Sequence, residues 1–169
     1  MSLHNDLLEQ AIQLVEMDPR RPKQANLRRA ISASYYALFH LLTSEASAVY
    51  ISDFQMLARI SRTYNHGEMK KVSSFFANNK LPKALQPPTG TYPIDDKLRN
   101  VAQTFVDLQQ ARHEADYNLA LTLSRKAARD LVQRTQRAFN SWELIRKSDG
   151  ARLYLACFLL WKRWDEEPR

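Results

Sequence analysis

The sequence is poor in the residues that reverse a chain. Among 169 residues there are only three glycines, at positions 67, 90 and 150. Tight hairpin turns need glycine or asparagine, and the sequence shows no sustained alternation of apolar and polar residues. No two glycines lie close together, which also argues against the glycine-rich loops that cradle phosphates in α/β nucleotide-binding folds. We therefore predict a protein without a β-sheet.

Cysteine and histidine are scarce as well. Cys157 is the only cysteine, so the chain has no internal disulfide, as is usual in a reducing cytoplasm. The four histidines, at positions 4, 40, 66 and 113, are never three or four residues apart, and the sequence contains no Cys-x-x-Cys or His-Glu-x-x-His motif. We therefore expect no metal site and no cofactor.

Long apolar runs are missing too. The longest, Leu153 to Trp161, is far short of the ~20 residues that a membrane helix needs. The first residues show no basic start followed by an apolar stretch, so no signal peptide is expected. These features predict a cytoplasmic protein without a membrane partner.

What the sequence has in abundance is helix-forming residues and arginine. Ala, Leu, Gln, Glu, Lys and Arg dominate the segments between the seven prolines and three glycines. The net charge is +7, and 16 of the 25 basic residues are arginines. Because the planar guanidinium suits phosphate and carboxylate, this excess fits an acidic or nucleic-acid partner, or simply a solvated surface.

Apolar spacing and breakers place the helices. We predict a first helix over Leu3–Met17, a second from Pro22, a third, interrupted near residues 65–67, over 53–79, and a loop over 82–93. Residues 94–148 contain no proline or glycine, and as one helix they would be ~80 Å long. A domain of this size cannot pack such a rod. We therefore predict a break at 116–118, with helices over 95–115 and 121–147.

These elements predict an all-α protein, an antiparallel up-and-down bundle of four to five core helices over residues 1–148. A short aromatic, amphipathic helix follows within 149–169. Its apolar face must be covered either by the bundle or by a subunit or partner protein, since soluble monomers rarely expose such patches. The residues of this face are Leu153, Ala156, Cys157, Leu160, Trp161 and Trp164.

Two segments carry a family resemblance. The first is Arg28-Arg29-Ala30-Ile31-Ser32-Ala33-Ser34-Tyr35-Tyr36-Ala37-Leu38-Phe39-His40, and the second is Ala111-Arg112-His113-Glu114-Ala115-Asp116-Tyr117-Asn118, just before a long helix. In this order and at this separation they resemble the HEPN superfamily, small helical domains found with nucleotidyltransferases and in toxin–antitoxin loci. The resemblance spans roughly residues 3 to 145.

The resemblance implies an up-and-down helical bundle, usually a homodimer, with a nucleotidyltransferase partner or an RNA or nucleotide ligand. Catalytic members of the family are metal-independent RNases. Their signature is an arginine, often followed by a polar residue, and a histidine after four to six intervening positions. The histidine moves the proton of the ribose 2′-hydroxyl, and the arginine stabilises charge developing on the phosphate.

This sequence departs from that signature. Arg112 and the polar His113 match its start, but the positions for the second histidine hold Tyr117, Asn118 and Leu119. His113 does not replace it directly, because neighbouring side chains on a helix point about 100° apart. Arg59 and His66 have the required spacing, but in a different helix.

The candidate site residues therefore carry open alternatives. Arg112, His113 and His66 are candidates for catalysis, and Arg112, Asp116, Tyr117, His66 and Lys70 are candidates for binding. Arg112 and Asp116, four residues apart, would also make an ordinary ion pair on one helix face. His66 would also serve as a capping or surface residue. Likewise, Tyr35, Tyr36 and Phe39 fit either a core or a platform for stacking bases.

Three functions follow from these alternatives. The first is a HEPN-like domain that binds RNA or nucleotide, or accompanies a nucleotidyltransferase, without RNase activity because the expected histidine is missing. The second is a protein–protein interaction module that has no nucleic-acid role. The third is a metal-independent RNase that uses His66 or His113.

Overall fold

The computed structural model describes residues 2–49, 52–89 and 92–165. These residues form helices and no strand, which confirms the predicted all-α class. No helix among them has both the length and the hydropathy that crossing a bilayer requires. In chain order they are α1 (Leu3–Glu16), α2 (Gln24–Ala48), α3 (Phe54–Ser61), α4 (His66–Ala77), a 3₁₀ turn (Lys83–Leu85), α5 (Asp96–Tyr117), α6 (Arg125–Ile145) and α7 (Asp149–Asp165).

The chain divides into two compact units, which we describe separately. Unit 1 is drawn from Met1–Leu41 and Thr104–Asn140, and unit 2 from Leu42–Gln103 and Ser141–Arg169. α1 belongs to unit 1, while α3, α4 and α7 belong to unit 2. The long helices α2, α5 and α6 contribute residues to both.

The core of unit 1 is built where α1, α2, α5 and α6 meet. Small side chains dominate it, and a small side chain allows two helix backbones to approach closely. α2 contributes a broad buried face, as its apolar spacing predicts. The core residues are Ala11, Val15, Leu27, Ala30, Ile31, Ala33, Ala115, Ala128 and Val132.

The predicted break in residues 94–148 is confirmed, and a side chain from another helix stabilises it. α5 ends at Tyr117. Arg28 of α2 donates hydrogen bonds to the carbonyl oxygens of Ala115 at 2.6 Å, Asn118 at 3.0 Å and Leu121 at 2.6 Å. The last carbonyls of a helix have no partner within it, and a cation favours the negative end of the helix dipole. Arg28 therefore satisfies the end of α5 and the turn beyond it.

The loop that follows α5 is tied to the loop between α1 and α2. The Gln24 side chain donates to the Leu123 carbonyl and accepts from the Leu123 amide, both at 2.8 Å. Arg125 donates to the carbonyls of Met17, at 2.9 Å, and Asp18. Because these contacts hold residues 121–124 outside the helix, α6 begins at Arg125 and the predicted start at residue 121 is wrong.

Unit 2 packs the aromatic face of α7 against α4. The Tyr154 hydroxyl lies 2.7 Å from the Ser73 hydroxyl, and its ring centroid lies 4.9 Å from that of Phe76. Trp161 contacts Phe75, with ring centroids 5.3 Å apart. Tyr154 and Trp161 are therefore covered within the chain. The predicted apolar face is displaced, because Tyr154 and Phe158 are buried while Leu160 is 37% exposed and Leu153 and Ala156 are only partly buried. The side chain of Trp164 and all residues after Asp165 lie outside the described part.

Cys157 also lies in this core. It is fully buried, and burial raises the pKa of its thiol to about 12. A thiolate is the reactive form of cysteine, so this thiol is chemically inert at neutral pH.

We predict that Arg28→Met destabilises the protein by about 1–3 kcal/mol, because it leaves the carbonyls at the end of α5 without their donor. Methionine keeps much of the length and apolar character of the side chain. Urea unfolding monitored by circular dichroism measures the change. Arg29→Met, at the exposed neighbouring position, removes the same charge and is the matched control. Equal stability of the two variants would contradict the capping role.

Candidate nucleic-acid interface

Arg112 lies in the last two turns of α5 and contacts two polar partners. Its Nε lies 2.7 Å from Asp116 Oδ2, and its Nη2 donates to the Tyr36 hydroxyl at 3.2 Å. The Nε atom is buried and makes no aligned hydrogen bond, so its attraction to Asp116 is that of an ion pair. The side chains of Arg112 and Asp116 are 27% and 24% exposed, which leaves both within reach of a ligand.

Asp116 also connects α5 to α2. Its Oδ1 accepts a hydrogen bond of 2.7 Å from the Ser32 hydroxyl, while Oδ2 faces Arg112. The pair predicted from the spacing of four residues is therefore present, but it is more than a helix-surface contact. Ser32 fixes the carboxylate, and the carboxylate in turn fixes the guanidinium.

Two tyrosine rings flank the guanidinium. The Arg112 Cζ atom lies 5.6 Å from the ring centroid of Tyr36 and 5.7 Å from that of Tyr117, within the range of cation–π attraction. Tyr117 is 64% exposed. We call Ser32, Tyr36, Arg112, Asp116 and Tyr117 the Arg112 cluster. It presents a fixed cation beside an exposed aromatic face.

The aromatic segment of α2 divides between the two predicted roles. Tyr35 and Phe39 are buried in the core, with 1% and 7% of their surfaces exposed. Tyr36 is only partly buried and belongs to the Arg112 cluster. Tyr35 and Phe39 therefore belong to the core, while Tyr36, on another face of α2, stays a candidate for stacking.

Partial burial acts against the charged form of Arg112, but its neighbours outweigh it. The neighbours Tyr36, Asp116 and Tyr117 raise the pKa of Arg112 above its ordinary value. The guanidinium is therefore a permanent cation, suited to binding an anion and unsuited to proton transfer.

The two histidine candidates lie in different units. His113 is exposed in unit 1, and its ring centroid lies 5.0 Å from that of Tyr117. His66 is the first residue of α4 in unit 2, and Lys70 lies one turn later. Asn65 caps this helix, accepting hydrogen bonds from the amides of Gly67 at 2.8 Å and Glu68 at 3.2 Å. The structure thus gathers Arg112, His113, Asp116 and Tyr117 in unit 1 and leaves His66 and Lys70 in unit 2.

A pocket of about 320 Å³ opens beside the Arg112 cluster, between α1 and α2. On the α1 side its wall has two leucines and a glutamine, and on the α2 side it carries hydroxyl and guanidinium groups. Such a wall suits a planar base next to a charged backbone. The lining residues are Leu7, Gln10, Leu14, Arg29, Ser32, Ala33 and Tyr36.

The residues that sequence reasoning missed act across long separations. Ser32 and Arg28 meet the end of α5 from positions 84 to 93 residues away in the chain. Both lie in the first motif segment, which was the only available signal. Nothing in the local spacing indicates which carbonyl or carboxylate each side chain contacts.

The described residues contain no group of three or more His, Cys, Asp or Glu side chains placed to hold a metal ion.

No protein-family model, curated protein or solved structure matches this chain. The resemblance to HEPN domains depends on the two motif segments alone, and it stays a prediction.

We predict that His40 makes stability fall in mild acid. Burial, assisted by the charge of His4, lowers the pKa of His40 below its ordinary value of 6.5. Between the lower pKa of the folded state and the ordinary value, the unfolded chain binds more protons than the folded one. The contribution of His40 is therefore fully present above pH 6.5 and is lost as the pH falls through its lower folded-state pKa.

Chemical denaturation of wild type and His40→Gln at a series of pH values between about 7.5 and 5 measures this effect. The variant should lose less stability across the series. His113→Gln, at an exposed position, is the control and should follow the wild type. Parallel curves for wild type and His40→Gln would show that His40 is not responsible.

Proposed function

We propose that this chain is a HEPN-like domain that binds single-stranded RNA through the Arg112 cluster and does not cleave it. The ligand groups bound would be a phosphate and a stacked base next to it, and a free nucleotide has both groups. The observation that carries the proposal is the guanidinium of Arg112, held by Asp116 and Tyr36 beside the exposed ring of Tyr117.

The cluster has the donors that a phosphate needs. A guanidinium has five N–H donors. The contacts of Arg112 within the described residues engage Nε and one hydrogen of Nη2, so the others point to no protein acceptor there. Because the ion pair orients the side chain before a ligand arrives, little conformational entropy is lost on binding. A phosphate can therefore be bound without breaking the contact with Asp116.

Tyr117 supplies the aromatic face. Single-stranded nucleic acids bind by stacking bases on aromatic side chains next to cations, and every base offers a face for stacking. Tyr117 is 64% exposed, so a base can reach it although Arg112 and His113 lie beside its ring. The geometry therefore supports binding that tolerates different sequences.

The absence of cleavage follows from the missing general base. Tyr117, Asn118 and Leu119 occupy the positions where RNases of the family have a histidine. A tyrosine hydroxyl and an amide do not take up a ribose proton at neutral pH as imidazole does. We include in the proposal a homodimeric state, a nucleotidyltransferase partner and a cytoplasmic location, which the family resemblance and the lone cysteine support.

We predict that Tyr117→Leu weakens RNA binding about 5- to 150-fold, since a stacked base contributes ~1–3 kcal/mol. Arg112→Gln should weaken it as well by removing the phosphate contact. Fluorescence anisotropy of a labelled single-stranded RNA measures both, and adenosine monophosphate as competitor tests the free nucleotide.

The matched controls lie in the same unit. Leu119→Ala removes an apolar side chain that is 90% exposed in the loop directly after Tyr117. Arg134→Gln breaks the ion pair of Arg134 with Asp107, which is about as exposed as the Arg112–Asp116 pair and lies outside the Arg112 cluster. Both controls should bind like the wild type. If the wild type binds no RNA, or if Tyr117→Leu and Arg112→Gln bind as tightly as the controls, the proposal is wrong.

Incubation with end-labelled RNA tests the absence of cleavage. We predict intact RNA for the wild type. The binding proposal is wrong if the wild type cleaves the RNA and this cleavage is abolished both by Arg112→Gln and by one of the variants His113→Gln and His66→Gln. The protein would then be an RNase.

A further inference from the structure

A second group of cations lies at the same end of unit 1 as the Arg112 cluster. The segments 17–23 and 124–127 contain five basic residues and a single acidic one, Asp18. Arg20, Arg21 and Lys126 are exposed. We call Arg20, Arg21, Lys23, Arg125 and Lys126 the basic end.

Two acidic side chains lie at or beside the basic end, and both are already engaged. Glu16 pairs with Arg129 at 2.7 Å and also lies near Arg125. The Asp18 Oδ2 atom accepts a 2.8 Å hydrogen bond from Asn26, and Oδ1 lies 3.7 Å from the Lys23 ammonium. Asp18 itself has a φ of 56°, which is the left-handed region, and the contacts to its side chain and carbonyl hold it there. Arg20 and Arg21 therefore project from a fixed loop, and their charge is not cancelled by Asp18.

The loop has a concave surface. Asp18, Pro19, Arg20, Arg21 and Lys23 line a shallow depression of about 570 Å³. Arg125 connects this loop to the start of α6 through the carbonyls of Met17 and Asp18. The exposed Lys126 is the next residue of the same first turn of α6, on a neighbouring helix face. Several cations that lie close together on one surface raise the local positive potential and attract an extended polyanion.

Contacts along α2 connect the two groups. Ser32 binds Asp116 of the Arg112 cluster, Arg28 binds the carbonyls at the end of α5, and Gln24 binds Leu123 next to the basic end. Ser32 and Gln24 are eight positions apart on one helix, which corresponds to ~12 Å at 1.5 Å per residue. That separation matches about three nucleotides of a stacked strand at ~3.4 Å each.

We infer that the ligand of unit 1 is a strand of several nucleotides, whose backbone leaves the Arg112 cluster and crosses the basic end. This inference extends the proposed function. Within it, the Arg112 cluster holds one phosphate and one base, and the basic end holds phosphates only. The basic end therefore adds affinity that depends on strand length and salt but not on base identity.

The salt dependence of binding separates the two contributions. Each phosphate neutralised on a single strand adds about 0.7 to the slope of log affinity against log salt. The triple variant Arg20→Gln/Arg21→Gln/Lys126→Gln should lower the slope for an eight-nucleotide RNA by about 2. Between about 50 and about 200 mM salt, the wild type should then lose roughly 20-fold more affinity than the triple variant. A dinucleotide, too short to reach the basic end, should bind both proteins equally.

The control variant removes the same charge elsewhere. Lys71→Gln/Lys80→Gln/Lys97→Gln changes three exposed lysines of unit 2 and should keep the wild-type slope. A slope shared by wild type, triple variant and control would overturn the inference. An equal loss in the triple variant and the control would also overturn it, because net charge alone would then explain the effect.

Failure of the inference differs from failure of the proposed function. If the triple variant keeps the wild-type slope while Tyr117→Leu still weakens binding, the inference fails and the function stands. If the triple variant lowers the slope while Tyr117→Leu and Arg112→Gln have no effect, the basic end binds RNA and the Arg112 cluster does not. Vesicles containing about one third phosphatidylserine test a lipid surface. If wild type binds these vesicles but not RNA, and the triple variant loses vesicle binding, the basic end serves a membrane and the inference is wrong.

Discussion

The contact between Arg28 and the end of α5 is the interaction on which unit 1 depends. Residues 94–148 contain neither proline nor glycine, so the backbone alone supplies no stop. A guanidinium from α2 supplies it by satisfying the carbonyls of Ala115, Asn118 and Leu121. Because the helix ends there, α6 can return and pack in the four-helix core, and Tyr117 comes to an exposed position. The candidate site is thus a product of the same contact that closes the fold.

The helices could be predicted to the extent that their signals are local. Apolar spacing and Pro19 place α1 within one residue of its observed end. Helix length requires a break within residues 94–148, and the poor helix formers Asp116 and Asn118 indicate its position. The start of α6 was predicted four residues too early, because Gln24, which lies 99 residues away, holds Leu123 outside the helix. A local signal was present in Ser124, which caps the helix by accepting a hydrogen bond from the Ala127 amide.

The site, too, could be predicted only where its signals are local. Arg112 and Asp116 are four residues apart, so their pairing follows from helix geometry. Ser32 and Tyr36 join them only through the packing of α2 on α5, for which the sequence has no local signal. The arginines of α6 make further contacts for which the sequence has no local signal. Arg125, Arg129 and Arg134 contact the Met17 and Asp18 carbonyls, Glu16 and Asp107. These three arginines therefore connect α6 to other parts of unit 1.

The burial of Cys157 has a practical consequence for spectroscopy. The chain has a single thiol, which is enclosed by the core of unit 2 and is protonated at neutral pH. A cysteine introduced at a surface position would therefore be the one site that reacts with maleimide or a nitroxide reagent. The native residue need not be replaced, so paramagnetic and fluorescent reporters can be placed in a chain that is otherwise unaltered.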